Sequence, residues 1–296
     1  MRFFLHICKK SSTFAGYLYD AIMNKPKVIV LLPVYRNDSA TYLQLSVDSI
    51  LAQTYQPLHI LIGIDGPIAG ELANCVDSYK GKELITVLPF EENRGLASTL
   101  NGMILWAQKQ GYTYFARMDA DDIAVPERIE LQMTYLLTHP DIDVVGGATN
   151  EIDENGNDRN KINHYPLTPE ECYAYFAKRD PVAHPAVLFK QSYFDKAGCL
   201  YRPEFRKNQD TMLWFDGIKN GAKIANLDEV VLNFRMNKDF FVTRRNGFAF
   251  AKGLLEQRRM INRELHYGVR ATLYAYALFI FRISPIWIKR LAYKVL

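Results

Sequence analysis

The chain has 296 residues, of which 49% are apolar, 13% aromatic and 23% charged. Those proportions exclude a disordered or low-complexity chain and leave room for one large α/β domain with an appendage. Four cysteines, Cys8, Cys75, Cys172 and Cys199, are scattered without paired spacing, which fits neither a zinc site nor a disulfide framework and suits a reduced compartment.

Residues 1–26 read as a weakly ordered N-terminal extension. The run from Met1 to Cys8 is too short and interrupted for a secretory signal, and Met23 is an alternative start. A strand–helix alternation then begins. Residues 27–33 are a continuous apolar run, as in a parallel strand buried on both faces. Residues 39–53 have helical spacing, with Leu43, Val47, Ile50 and Leu51 on one stripe. A second strand over 58–64 ends at Asp65-Gly66-Pro67, and a helix over 69–80 follows. A short strand over 84–88, a helix over 95–110 and a strand over 112–118 come next. Another helix starts near Pro126, and residues 143–147 form a fifth strand. This order predicts a doubly wound, mostly parallel sheet with flanking helices.

After Asn150 the pattern loosens. Residues 151–163 are polar, with a hairpin-turn signal at Glu154-Asn155-Gly156-Asn157. A helix is expected over 168–178, a strand-like run over 186–189, a helix after Asp210 and a strand over 227–234. A long helix over 246–266 shows the stripe Ala251, Leu254, Leu255, Ile261 and Leu265, on which Arg258 intrudes.

The net charge of +4 is uneven: from Arg244 to Leu296 eleven Lys/Arg face two Glu, a net of +9 that leaves −5 for the rest. A basic tail on an acidic body points to a polyanionic surface, and an anionic membrane fits better than nucleic acid because no nucleic-acid motif accompanies the charge. The tail's longest uncharged run, from Ala271 to Phe281, has eleven residues. A spanning helix needs ~20, so the tail is expected to lie in the membrane interface.

The densest chemistry sits at the end of the fourth strand, where Asp119, Asp121 and Asp122 fall within four positions. Aspartates oppose strand formation and favour tight turns. Crowded carboxylates repel unless a cation joins them, and Mg²⁺ or Mn²⁺ favours such oxygens and commonly bridges them to phosphates. In doubly wound sheets ligands bind at the carboxyl ends of strands. The loop from Tyr35 to Asp38, Asp65 and the acids of 119–122 all follow strands, so they are expected to share one crevice. Gly-x-Gly-x-x-Gly and the P-loop pattern are both absent.

Five segments in this order, Pro33-Val34-Tyr35-Arg36-Asn37, Ser49-Ile50-Leu51-Ala52-Gln53-Thr54, Asp65-Gly66, Asn93-Arg94-Gly95 and Asp119-Ala120-Asp121-Asp122, resemble the nucleotide-binding half of family 2 glycosyltransferases with the GT-A fold. His184-Pro185 and Gln209-Asp210-x-x-Leu213-Trp214 extend the match more loosely. The resemblance implies a nucleotide-sugar-binding half over 27–150, an acceptor half over 151–243 of the same domain, and a tail over 244–296. It implies that Pro33, Val34 and Tyr35 line the base pocket, that Asp65 accepts a hydrogen bond from the base, and that Arg94 lies near the phosphates. Asp119 would contact the ribose side, and Asp121 would hold a divalent metal, Mn²⁺ or Mg²⁺. Asp210 matches the general base of the inverting members, although Gln209 stands where the family often has Glu. His184 fits a structural role as well as an acceptor-site or metal-proximal one.

The leading expectation is an inverting, non-processive, metal-dependent glycosyltransferase using a nucleoside-diphosphate sugar, with UDP the commonest base. Gln257-Arg258-Arg259-Met260 lacks the Gln-x-x-Arg-Trp pattern of processive members. The basic, aromatic tail fits a glycan or lipid-linked glycan acceptor at the cytoplasmic face of the cell membrane, as in surface polysaccharide synthesis. Two alternatives remain open at this point. One is a sugar-nucleotide-binding protein that has lost catalysis; the other is a sugar nucleotidyltransferase, although the loop after the first strand has no glycine.

Overall fold

A computed structural model describes residues 25–236 and 248–284. Nearly all of the extension expected over 1–26, the junction near 243 and the tail beyond 284 lie outside the described residues.

The alternation read from the sequence is present. It runs β1 (Val28–Val34), α1 (Ala40–Leu51), β2 (Leu58–Asp65), α2 (Gly70–Asp77), β3 (Ile85–Phe90), α3 (Leu96–Lys109), β4 (Tyr114–Arg117), β5 (Ile123–Ala124), α4 (Arg128–Thr138) and β6 (Val144–Ile152). The second half holds β7 (Asp158–Asn163), α5 (Pro169–Phe176), a 3-10 turn (His184–Ala186), β8 (Leu188–Lys190), α6 (Gln191–Ala197), α7 (Gln209–Lys219) and β9 (Ile224–Arg235). Helices α8 (Phe248–Glu264) and α9 (Val269–Ile283) follow. The turn signal at 154–157 does join two strands, β6 and β7. Two short elements, β5 and α6, have no clear periodicity in the sequence, since a two-residue strand and a two-turn helix are too brief to display one.

All the described strands form one nine-stranded sheet, in the order β3-β2-β1-β4-β8-β6-β9-β5, with β7 on β6. It is mostly parallel, as expected: six strands share one direction, and only β5, β7 and β8 run against it. The fifth strand of the sequence pattern is not β4's direct neighbour, because β8 is interposed antiparallel between β4 and β6. Strand β9 pairs with β6 along nine positions, which joins the two halves of the chain in a single sheet.

Strand alternation builds a core on each face. Val28, Val30, Leu32 and Val34 point into a layer with Leu43, Val47 and Ile50 of α1 and Ile129, Met133 and Leu136 of α4. Ile29 and Leu31 point the other way, onto Leu100, Met103 and Ile104 of α3 and Met212, Leu213 and Trp214 of α7. Ser39 caps α1, and Thr168 with Glu171 forms a capping box on α5, so both helices start where the sequence supplies a side-chain acceptor.

The turn after β2 depends on one glycine. Gly66 has φ +80°, and a Cβ there would lie 2.5 Å from the Asn93 backbone nitrogen. Both the conformation and the close approach exclude a side chain. Gly66→Ala is therefore expected to destabilise the protein by about 1–3 kcal/mol. A fall in thermal midpoint relative to wild type checks this, and an unchanged midpoint refutes it.

Candidate active site

The crevice opens where the strand order reverses. From β1 the chain moves outward to β2 and β3, then returns to β4 on the other side of β1. The carboxyl ends of β1 and β4 therefore flank a topological switch point, the position where ligands bind in such sheets.

On the β1 side, Pro33 and Val34 are buried within the strand, and Tyr35 is half-buried at its end. The Tyr35 backbone N–H donates to Asp38 Oδ2 at 2.8 Å, which closes the following loop. Asp65, at the tip of β2, is 6% exposed. Its carboxylate accepts from the backbone N–H groups of Arg94 at 2.8 Å and Gly95 at 3.0 Å. It thus anchors the start of α3, whose own cap residue has no side chain. Arg94 is exposed, with its guanidinium 5.7 Å above the Phe90 ring.

The acids after β4 form a tight cluster. Asp119, Asp121 and Asp122 each offer one carboxylate oxygen, all within 4.8 Å of one another. Two buried arginines brace them. Arg117, 2% exposed, makes an ion pair with Asp119 Oδ1 through Nη2. Arg235, at the end of β9, donates its backbone N–H to Asp122 Oδ1 at 2.9 Å and its Nε to the Asp121 carbonyl at 2.8 Å. Asp122 Oδ2 is buried with no hydrogen-bond partner. Burial, then the neighbouring Asp119 and Asp121, push the Asp122 carboxyl well above the usual carboxylate range. A hard divalent cation suits this donor set. It brings positive charge to three crowded carboxylates, one of which has an unsatisfied oxygen.

The second half closes the crevice. His184 Nε2 and the Tyr201 hydroxyl are 2.7 Å apart, and the imidazole packs edge-on against Trp214. Burial, then Arg117, hold His184 well below its ordinary value, so it is neutral. His184 is not part of the carboxylate cluster. Asp210 stands in the first turn of α7, and its Oδ1 accepts from the Thr211 backbone N–H at 2.9 Å. Burial and then Asp180 push its carboxyl up to about 6, against opposition from Thr211 and Arg117. Both Asp119 and Asp210 act electrostatically on the Tyr201 hydroxyl, as does Arg117.

The family model for glycosyl transferase family 2 matches residues 29–197, more than half of the chain. The chain belongs to this family. The transferase is 27% identical over 266 residues to the amylovoran biosynthesis glycosyltransferase AmsE of Erwinia amylovora, covering 90% of this chain and 97% of that protein. It is 28% identical over 226 residues to an Escherichia coli UDP-Gal:alpha-D-GlcNAc-diphosphoundecaprenol beta-1,3-galactosyltransferase, covering 76% of this chain and 80% of that one. Among solved structures, Staphylococcus aureus TarS 1-349 in complex with UDP-GlcNAc superposes with a TM-score of 0.62 at 15% identity, covering 87% of this chain and 71% of that one. The mannosyltransferase PcManGT from Pyrobaculum calidifontis, in complex with GDP-Man and Mn2+, gives 0.57 at 15% identity, with coverage of 96% and 88%. These structural neighbours establish a shared GT-A type fold.

Three residues of this family 2 transferase's crevice escaped the sequence reading: Arg117, Arg235 and Tyr201. Arg117 had a signal, a full charge inside an apolar strand run. Arg235 and Tyr201 had none, because only the folded sheet brings them to the acid turn. The ion pair yields a prediction. Asp119→Ala leaves the Arg117 guanidinium buried without its carboxylate, so stability should fall by about 2–3 kcal/mol; a fully buried pair would lose more, but Asp119 is a third exposed. Chemical denaturation of the ligand-free protein measures this, and a loss below ~0.5 kcal/mol contradicts it.

Proposed function

We propose that the transferase is inverting and metal-dependent, moving one sugar from a nucleoside-diphosphate sugar to a glycan or lipid-linked glycan in surface polysaccharide synthesis. The observation that carries this reading is the tight cluster of Asp119, Asp121 and Asp122 at the carboxyl end of β4. Relatives named for amylovoran biosynthesis and for a diphosphoundecaprenol-linked sugar support the acceptor class. The TarS complex with UDP-GlcNAc supports UDP as the expected nucleotide.

In this scheme residues 27–150 bind the donor and residues 151–243 the acceptor. Pro33 and Val34 wall the base pocket through β1, and Tyr35 covers the base. Asp65 holds the Arg94 loop and offers its remaining lone pairs to the base. Arg94 brings positive charge to the phosphates. Asp119, oriented by Arg117, faces the ribose side, and Asp121 is the principal metal ligand. A divalent ion, Mn²⁺ or Mg²⁺, supplies Lewis-acid stabilisation of the negative charge that develops on the leaving diphosphate.

Asp210 takes the proton from the acceptor hydroxyl as that oxygen attacks the anomeric carbon. The nucleoside diphosphate departs from the opposite side, so the anomeric configuration inverts. A carboxyl raised to about 6 remains mostly ionised at neutral pH, yet is a stronger base than an ordinary aspartate. His184 is neutral and keeps the Tyr201 hydroxyl in place at the same wall.

A thermal-shift panel of nucleoside diphosphates, with and without Mn²⁺, tests the donor side. UDP with Mn²⁺ should raise the midpoint most, and Asp121→Asn should abolish the metal-dependent increment. Asp210→Asn should preserve the UDP–Mn²⁺ shift and lower transfer by ~10²–10⁴. Undiminished transfer would remove Asp210 as base.

Helix α9 lies within the basic tail. Ala271 and Ala275 are buried, while Val269, Leu273, Tyr276, Ile280 and Ile283 are exposed along one side. Arg270 and Arg282 lie on the same helix. No described helix is long and apolar enough to cross a membrane. An exposed apolar stripe on a helix of the basic tail suits the interface of an anionic bilayer, which would hold the transferase peripherally at the cytoplasmic face. The full-length Leu273→Glu/Ile280→Glu variant should bind vesicles containing phosphatidylglycerol at least ~10-fold more weakly than wild type, with its UDP–Mn²⁺ shift intact. Equal binding by the two proteins would overturn the membrane reading.

A further inference from the structure

Arg258 breaks the apolar stripe of α8, and its contacts explain why a charge is kept there. The side chain is 7% exposed. Its guanidinium lies 5.2 Å from the Phe176 ring centroid, and Nη1 donates to the Phe176 carbonyl at 2.9 Å. Nη2 makes an ion pair with Asp180 Oδ1 at 2.9 Å. The other oxygen of Asp180 accepts from Thr211 Oγ1 at 2.7 Å. Thr211 in turn donates its backbone N–H to Asp210 Oδ1 at 2.9 Å. Gln257, next to Arg258, lies 3.4 Å from the Asn208 side-chain amide, just before α7. Asn208 is in the left-handed region, at φ +58°, so the turn leading to Asp210 has an unusual backbone that needs outside support.

We propose that Arg258 and Asp180 are positioning residues for Asp210: Arg258 fixes Asp180, Asp180 fixes the Thr211 hydroxyl, and the Thr211 N–H sets the direction of the Asp210 carboxylate. This deepens the site reading and rests on Asp210 as the base. It also means that α8, which packs against α9, supports the site without touching substrate.

The same arrangement sets the charge around Asp210. Burial is the largest influence, Asp180 the next, and Arg117 of β4 acts in the opposite sense. The Tyr201 phenol, in the loop before α7, is a further titratable group that interacts electrostatically with Asp210. Arg258 compensates the charge of Asp180. Removing Arg258 leaves Asp180 uncompensated and favours the protonated form of Asp210. Removing the charge of Asp180 favours the ionised form.

The test uses the full-length protein labelled with ¹³C at the aspartate carboxyls and titrated by NMR, with the Asp210 signal assigned from Asp210→Asn. Arg258→Met should raise the Asp210 midpoint by roughly 0.5–1 pH unit, and Asp180→Asn should lower it by a similar amount. The double variant should match Asp180→Asn, and Arg258→Lys, which keeps the charge, should stay near wild type. If Arg258→Met does not fold, the near-isosteric Asp180→Asn carries the test alone. Midpoints unmoved by Asp180→Asn overturn the proposal. Turnover of UDP-GlcNAc, followed as UDP release, separates this result from the base reading. Its acid limb should track the NMR midpoint. A midpoint that moves while the limb stays supports the positioning chain and removes Asp210 as base.

Discussion

Three carboxylates after β4 occupy a space in which their ligand oxygens lie within 4.8 Å of each other, and one of the three is almost wholly buried. Like charges at that separation strongly favour protonation or dispersal. Two guanidiniums, also buried, hold the turn in place. Arg117 reaches it along β4, and Arg235 approaches from β9, a strand more than a hundred residues later. The second contact is possible only because β9 runs beside β6 for nine positions and reaches β5 at its end. The sheet's far side thus exists partly to deliver one backbone N–H and one side chain to Asp121 and Asp122. A divalent cation would complete the charge balance that the arginines begin.

The strand order makes a crevice of this turn. Strands β1, β2 and β4 end side by side, so Tyr35, Asp65 and Asp119 come from three separate segments but lie along one edge. Asp65 does its structural work through two backbone N–H groups of the Arg94-Gly95 turn, a strong charge-assisted arrangement. That anchorage places the exposed Arg94 beside the crevice. The antiparallel β8 then sets the Val187–Phe189 segment against β4, which carries His184 and Tyr201 to the opposite wall.

The environments of Asp122 and Asp210 differ in what raises each carboxyl. Asp122 is raised by burial and by its neighbours in the acid turn, and a cation would reverse that shift. Asp210 is raised mainly by burial and by one neighbour, Asp180, whose charge is itself paired with Arg258. The first environment suits metal binding and the second suits proton transfer near neutral pH. The Arg258 contact also accounts for a residue that looked like an error in the amphipathic pattern of α8. A buried cation on a helix stripe is tolerable when it meets a carboxylate, a carbonyl and an aromatic face together.

Local pattern by itself determined the first half of this protein: the apolar runs, their helical partners and the motif-bearing loops were all legible, because period-2 and period-3.6 burial are short-range properties. The family resemblance was legible for the same reason, as its segments each span a few residues at strand ends. Only the tertiary structure decided that β8 enters the sheet antiparallel, that Arg235 braces the acid turn, and that Arg258 meets Asp180. Those contacts join residues from about fifty to more than a hundred positions apart. Nothing in the local spacing of either partner encodes the other; the pairing arises when the sheet closes and buries charges that must then find each other.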